Sequence, residues 1–330
     1  ALNTCLNSNK PAKVLELDRK EAERLGLNST PFILINGQYF SRVPTKKDIK
    51  QLRRLIQSYG GDGVSIIAKI ERSSAVRNVR DIIDEADMVM VARGDLGVEI
   101  GIEKVPEVQK MIIREGTRLI KPVIVATQML ESMVTSKMAT RAEVSDVANA
   151  IYDGCDAVML SGETAVGVDP VNVVKSMFKI CKATDKQRIQ LKKLRYSQVK
   201  KVFDYRDMAI TFCKAADQIA DENSADAHLA FTSSGSTARI ASKLNPSIPI
   251  VSLTDDITVL RQMNFYRGVV PLLMVENFKK IKSWGRMISL AVDSAMEAKL
   301  FKKGYKVVVT AGYPIGQPGG TNSIRLINVD

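Results

Sequence analysis

Ser65-Ile66-Ile67-Ala68-Lys69-Ile70-Glu71 and Met88-Val89-Met90-Val91-Ala92-Arg93-Gly94-Asp95 decide how this chain is read. Each is a strand-length apolar run that ends in charged groups, and the amphipathic stretch between them, Ser73–Glu85, reads as a helix. The same unit recurs downstream. Helix Val105–Leu119 leads to strand Pro122–Ala126, and helix Arg141–Tyr152 leads to strand Ala157–Leu160 and helix Pro170–Ala183. Short strands alternating with crossover helices predict a parallel sheet. The basic stretch Thr184–Lys200 reads as a continuation of the last helix or as a connector.

Beyond Tyr205 the alternation returns with a different texture. Helix Asp207–Asp221, strand His228–Phe231, helix Ser236–Leu244 and strand Ile248–Leu253 are followed by a short helix to Met263. Strand Val269–Leu273, the long helix Lys279–Phe301 and strands Tyr305–Thr310 and Ser323–Val329 complete a second compact α/β domain. The Gly- and Pro-rich stretch Ala311–Asn322 is a loop. Ahead of the first alternation the rhythm differs: a charged helix Glu16–Leu25, a hairpin of Phe32–Asn36 with Gln38–Ser41 around Gly37, then a helix from Lys46 to Ser58.

Composition narrows the function classes. With 330 residues, 45% of them apolar, the chain can fill two domains and is not of a disordered class. Its longest apolar runs are strand-sized, well short of the ~20 residues of a membrane span. Ala1–Lys13 lacks the basic head and apolar block of a secretory signal. Cys5, Cys155, Cys181 and Cys213 have no spacing that reads as a metal site or a disulfide frame, so a reduced, cytoplasmic setting is expected. The net charge of +12 gathers in Lys46–Arg54, Lys182–Lys201 and Lys279–Arg286. These read as solvated helix faces or as a field for an anionic small molecule. Aromatic residues are not interleaved as base stacking needs, so neither nucleic acid nor membrane is an expected partner.

The chemistry sits where the strands of the first region end. The first strand ends at Lys69 and Glu71, the second at Arg93, Gly94 and Asp95, the third at Thr127 and Gln128, and the fourth at Ser161, Gly162 and Glu163. Parallel strands present these ends on one rim, which in a (β/α) barrel is the catalytic face. Lys69 and Glu71 are two residues apart and share a strand face, either as a structural ion pair or as a working pair. Glu71 and Asp95 are hard oxygen ligands suited to Mg2+. A lysine beside a carboxylate-held metal is the pairing that phosphoryl transfer needs, because both share the charge of the transferring group.

Five blocks carry a resemblance. Ile66–Glu71, Met90–Glu99, Ala126–Met133, Thr140–Glu143 and Met159–Ala165, in this order and spacing, resemble the pyruvate kinase family over about residues 46–330. The resemblance implies an α/β fold. Its first part is a partial TIM-type barrel, the last four strand–helix units over residues 46–200, and its second a C-terminal three-layer domain with a mainly parallel sheet over residues 201–330. It implies transfer of a phosphoryl group from phosphoenolpyruvate to ADP, giving pyruvate and ATP. Carried over by motif position, Lys69 stabilises the transferring group, Glu71 and Asp95 bind Mg2+, and Gly94, Asp95 and Thr127 meet the substrate. Thr127 also serves proton delivery, and Arg93, Ser161 and Glu163 stand one layer behind. K+ is implied too, with ligands on family blocks that have no match in this chain, as are a homotetramer and a cytoplasmic location.

The run Thr232-Ser233-Ser234-Gly235-Ser236-Thr237, between a strand and a helix, offers hydroxyls and N–H groups as a phosphate cradle, or simple helix caps. In the family the matching loop holds a phosphate of a sugar-phosphate effector, and Ala311–Asn322 with Trp284 resemble the regions that complete that site. The family's earlier barrel strands and lid domain have no match. In their place residues 1–45, and Ala22–Gly37 above all, resemble the end of a thioredoxin-fold disulfide oxidoreductase, without any Cys-x-x-Cys. The join near Val43–Asp48 reads as a fusion or a truncated frame. The alternative function is therefore an inactive fragment that retains sugar-phosphate binding.

Overall fold

The computed structural model describes residues 33–35, 38–40, 45–61, 63–195, 208–274, 276–281, 283–313 and 320–330. The chain divides into two compact units, Ala1–Asp62 and Gly63–Asp330. In the first, β1 (Ile33–Ile35) and β2 (Gln38–Phe40) pair antiparallel with Ile33 opposite Phe40, as the hairpin reading expects. Helix α1 (Lys46–Ser58) starts on a capping box in which Thr45 and Asp48 satisfy each other's backbone N–H groups. The helix expected over Glu16–Leu25 lies outside the described residues.

The second unit holds two sheets. Strands β3 (Ile67–Ile70), β4 (Met88–Ala92), β5 (Val123–Ala126) and β6 (Ala157–Val158) are all parallel and lie in chain order, the expected four successive units. Helices α2 (Ser73–Arg77) and α3 (Val79–Glu85) replace the single helix expected over Ser73–Glu85. They part at Asn78, whose side-chain amide donates to the Ser74 carbonyl and competes with the helical ladder. Arg93–Ile100, to which the sequence reading assigned no element, is a helix, α4. Then come α5 (Val105–Arg118), α6 (Arg141–Asp153), the single turn α7 (Gly162–Ala165) and α8, which runs unbroken from Pro170 to Arg195.

The C-terminal sheet has the order β11-β10-β7-β8-β9, with β11 (Thr321–Asn328) the antiparallel edge. Strands β7 (Ala227–Phe231), β8 (Ile250–Thr254), β9 (Val269–Leu273) and β10 (Lys306–Gly312) are parallel. Alternate residues sort onto two faces, which makes three layers. Leu229, Phe231, Val307 and Val309 pack on α12 (Trp284–Glu297). Ala230, Ile250 and Val308 meet α9 (Met208–Glu222) and α10 (Ser236–Lys243), and α11 (Ile257–Met263) lies beside β9. Helix α12 is shorter than the expected Lys279–Phe301. Ser283 caps its start, and Lys299 turns left-handed at φ 58° after its end. Among the described residues no helix is long and apolar enough to cross a membrane.

Candidate active site

The carboxyl ends of β3 to β6 form one connected set of polar groups. Lys69 and Glu71 leave β3 together, and the Lys69 ammonium stands 2.7 Å from Glu71 Oε2 and 3.9 Å from Asp95 Oδ2. The lysine is half-exposed and Asp95 open to solvent, whereas Glu71 is buried. Among the described residues its Oε2 accepts no hydrogen bond of good geometry, and the Lys69 ammonium stands beside it. An anion approaching from solvent therefore meets Lys69 and Asp95 first, with a second carboxylate recessed behind them.

The first residues of α4 are tied to the turn that follows β5. The Gly94 N–H donates to Thr127 Oγ1 at 2.9 Å, and that hydroxyl donates to the Ala126 carbonyl at 2.6 Å. The Arg93 side chain, 8% exposed, donates from Nε and Nη2 to the Thr127 carbonyl at 3.2 and 3.0 Å, and from Nη2 to the Gln128 carbonyl at 2.8 Å. Thr127 and Gln128 both lie in the left-handed region, at φ 66° and 54°. A Cβ on Gly94 would meet Thr127 only at ordinary contact distance, 3.6 Å, so the protein itself leaves room for a side chain there.

Glu163 ties β5 to β6. It has no solvent exposure, and its carboxylate accepts from the Leu130 N–H at 3.1 Å and the Ser161 N–H at 2.8 Å. Burial opposes its ionisation, but these N–H groups and those of Glu163 and Met129 outweigh it and hold the carboxyl below its ordinary value. Ser161 stands at the rim with its side chain exposed. Every residue singled out in the first region is thus on the rim or one contact behind it. Sequence reasoning missed two others: Asp146, whose Oδ2 is 2.6 Å from Arg93 Nη1, and Glu143, which grips Ser132 as well as Thr140. The Thr140-x-x-Glu143 capping box was the available signal for the second. No local pattern marks the first.

In the C-terminal sheet the chain leaves β7 through Thr232–Gly235 into α10. Its neighbours β8 and β10 are reached in opposite directions, so this loop lies at a switch point, where open α/β sheets form a crevice at their strand ends. Gly235 is left-handed at φ 77°, and no side chain caps α10. The run of hydroxyls is therefore not spent on capping. Thr232 and Thr237 within it are buried, and Thr237 is bonded to Thr321 Oγ1 on β11 at 2.7 Å. Trp284 stacks under the Arg325 guanidinium, 5.2 Å from its ring centre, and most of the loop after β10 lies outside the described residues.

Comparisons with known proteins place the chain among relatives. Residues 15–174 match the family model described as pyruvate kinase, barrel domain, and residues 211–327 the one described as pyruvate kinase, alpha/beta domain. The chain is 40% identical over 288 residues to a pyruvate kinase of Clostridium acetobutylicum, covering 87% of this chain and 59% of that protein. It is 39% identical to a pyruvate kinase of Agrobacterium vitis, covering 100% of this chain and 66% of that protein. Pyruvate kinase 2 of Synechocystis is 43% identical, over 87% of this chain and 46% of that protein. The chain thus spans about half to two thirds of the length of these relatives. The barrel match begins at residue 15, inside the segment that the sequence had likened to a thioredoxin-fold protein, and no comparison supports that likeness. With both domain models matched in order across most of its length, the chain belongs to the pyruvate kinase family.

Proposed function

We propose that the rim at the ends of β3 to β6 is one wall of a pyruvate kinase active site, transferring a phosphoryl group from phosphoenolpyruvate to ADP to give pyruvate and ATP in glycolysis. The observation that carries this reading is the Lys69 ammonium, poised between Glu71 and Asp95 beside the Gly94–Thr127 contact. Half-exposed, it can meet the negative charge that develops on the transferring group. Among the described residues no three His, Cys, Asp or Glu side chains converge as a closed metal site. Two carboxylates, one of them a buried oxygen without a hydrogen bond, fit Mg2+, which completes its shell with substrate oxygens and water. Bound there, the ion supplies Lewis-acid polarisation of the phosphoryl oxygens. Gly94 and Asp95 would present backbone N–H groups to the substrate carboxylate, and the room beside Gly94 lets an anion come close. The Thr127 hydroxyl, held by two backbone groups, would lie on the path that protonates the enolate. None of the residues singled out is assigned to K+, which the family implies.

The same proposal includes residues 46–200 as the last four units of the barrel and residues 201–330 as a domain that binds a sugar phosphate at Thr232–Thr237. The switch-point position and the uncapped α10 support the latter. A homotetramer in the cytoplasm completes the reading, supported by the exposed apolar stripe Val171, Val174 and Phe178 on α8. A lactate-dehydrogenase-coupled assay with phosphoenolpyruvate, ADP, Mg2+ and K+ tests the activity. Turnover is expected, and Lys69→Met should lower it about a thousandfold. No turnover above background, with sugar phosphate still bound, overturns the activity and leaves an inactive binding fragment.

A further inference from the structure

We propose that Asp146, on α6, is a positioning residue for Thr127, acting through the buried guanidinium of Arg93. Two consecutive residues with side chains, one of them β-branched, occupy the left-handed region at Thr127 and Gln128. Such residues rarely adopt it, so the surroundings must hold them there. The holding group is Arg93. Three of its donor contacts take the two carbonyls of this turn, and its remaining terminal nitrogen, Nη1, lies 2.6 Å from Asp146 Oδ2. Carbonyls alone are neutral acceptors and leave the cation free to swing. The carboxylate fixes the plane of the guanidinium, and with it the direction of the fork.

Asp146 is itself on a rigid mount. The start of α6 is pinned by the Thr140–Glu143 capping box, and Glu143 also accepts from the Ser132 N–H and hydroxyl, at 2.6 and 2.5 Å, just beyond the same turn. The end of the relay is the Thr127 hydroxyl, placed to accept from Gly94 N–H. Asp146 thereby sets two groups of the candidate site without touching what binds there. The effect on turnover rests on the pyruvate kinase reading; the effect on the turn does not.

Amide hydrogen exchange at Gly94, read by NMR on the whole chain, tests this alongside kcat and KM for phosphoenolpyruvate. Asp146→Ala should speed exchange at Gly94 about tenfold, the scale expected for loss of one charge-assisted contact. Arg93→Lys should behave alike, because it keeps the charge and loses the fork. Asp146→Asn, which keeps an oxygen facing Arg93, should fall between and serves if the alanine variant does not fold. The kcat of Asp146→Ala should drop by more than its KM changes. Unchanged exchange at Gly94, or protection lost equally along β3 to β6, overturns the proposal. Since exchange needs no turnover, an inactive unsubstituted chain would count against the proposed reaction and leave this test standing.

Discussion

His228, the chain's one histidine, sits buried on β7 with its Nε2 2.8 Å from Thr310 Oγ1. Burial disfavours the charged ring and pushes its pKa down from 6.5 to about 4. The folded state therefore keeps a neutral ring while the unfolded chain takes up a proton below 6.5. Stability from this group is complete above pH 6.5 and falls steadily towards pH 4, by on the order of 3 kcal/mol. His228→Gln should flatten that limb in urea titrations run from about pH 7.5 to about pH 4.5. Glu163 works in the same direction at lower pH. Its depressed carboxyl contributes above the ordinary value of 4.5 and loses its contribution as pH falls through the folded value. Cys155 is pushed up to about 12, first by burial, so it stays a thiol at neutral pH and is not a nucleophile.

Helix α6 is the element on which the rim is mounted. Its capping box satisfies two orphan N–H groups at once, the Thr140 hydroxyl accepting from Glu143 N–H and the Glu143 carboxylate accepting from Thr140 N–H. Burial works against the Glu143 charge, but the bonds from Ser132 and Thr140 prevail and lower its pKa. Thr140→Ala should cost about 1 kcal/mol, the usual cost of losing a cap. Glu143→Ala should cost more, since it also frees the turn at Ser132. Guanidinium denaturation of the two variants checks the order, and an equal loss would show that the Ser132 contact adds nothing.

At the scale of the molecule, Gly63–Asp330 is one compact unit, and buried charges cross within it from sheet to sheet. Lys243 at the end of α10 pairs with Asp156, each 3% exposed, and Asp156 also accepts from the Val123 N–H at 2.7 Å on the first sheet. Arg267 reaches the Ile151 and Cys155 carbonyls and Asp185, while Met88 of β4 packs against Ala238, Val259, Met263 and Tyr266. Crowding shows at Arg188, whose pKa burial and then Arg267 push down to about 10. The loop proposed to take a phosphate starts the same helix that ends on Lys243. Removing one partner of such a pair leaves an uncompensated buried charge. Lys243→Met should therefore destabilise by about 3–5 kcal/mol, and adding Asp156→Asn should recover part of that loss. Thermal unfolding of single and double variants measures it, and additive losses would show that the pair is uncoupled.

Local pattern determined the strands and most helices. β4 and the core of β7 fall where apolar runs bounded by charged or turn residues place them, because burial on both faces of a parallel strand is written in consecutive residues. The rim was legible for the same reason: parallel strands end on one side, so Lys69, Asp95, Thr127 and Glu163 had to gather. The break at Asn78, the helix α4 over a glycine-containing stretch and the early end of α12 depended on single hydrogen bonds and one left-handed residue, which periodicity does not record. Tertiary structure alone decided the left-handed turn at Thr127. A β-branched residue resists that conformation, and a guanidinium delivered from the start of α4, braced by a carboxylate on α6, holds it. Pairs such as Arg93–Asp146 and Lys243–Asp156 join residues far apart in the chain, and a sequence specifies them only through the folding that brings them together.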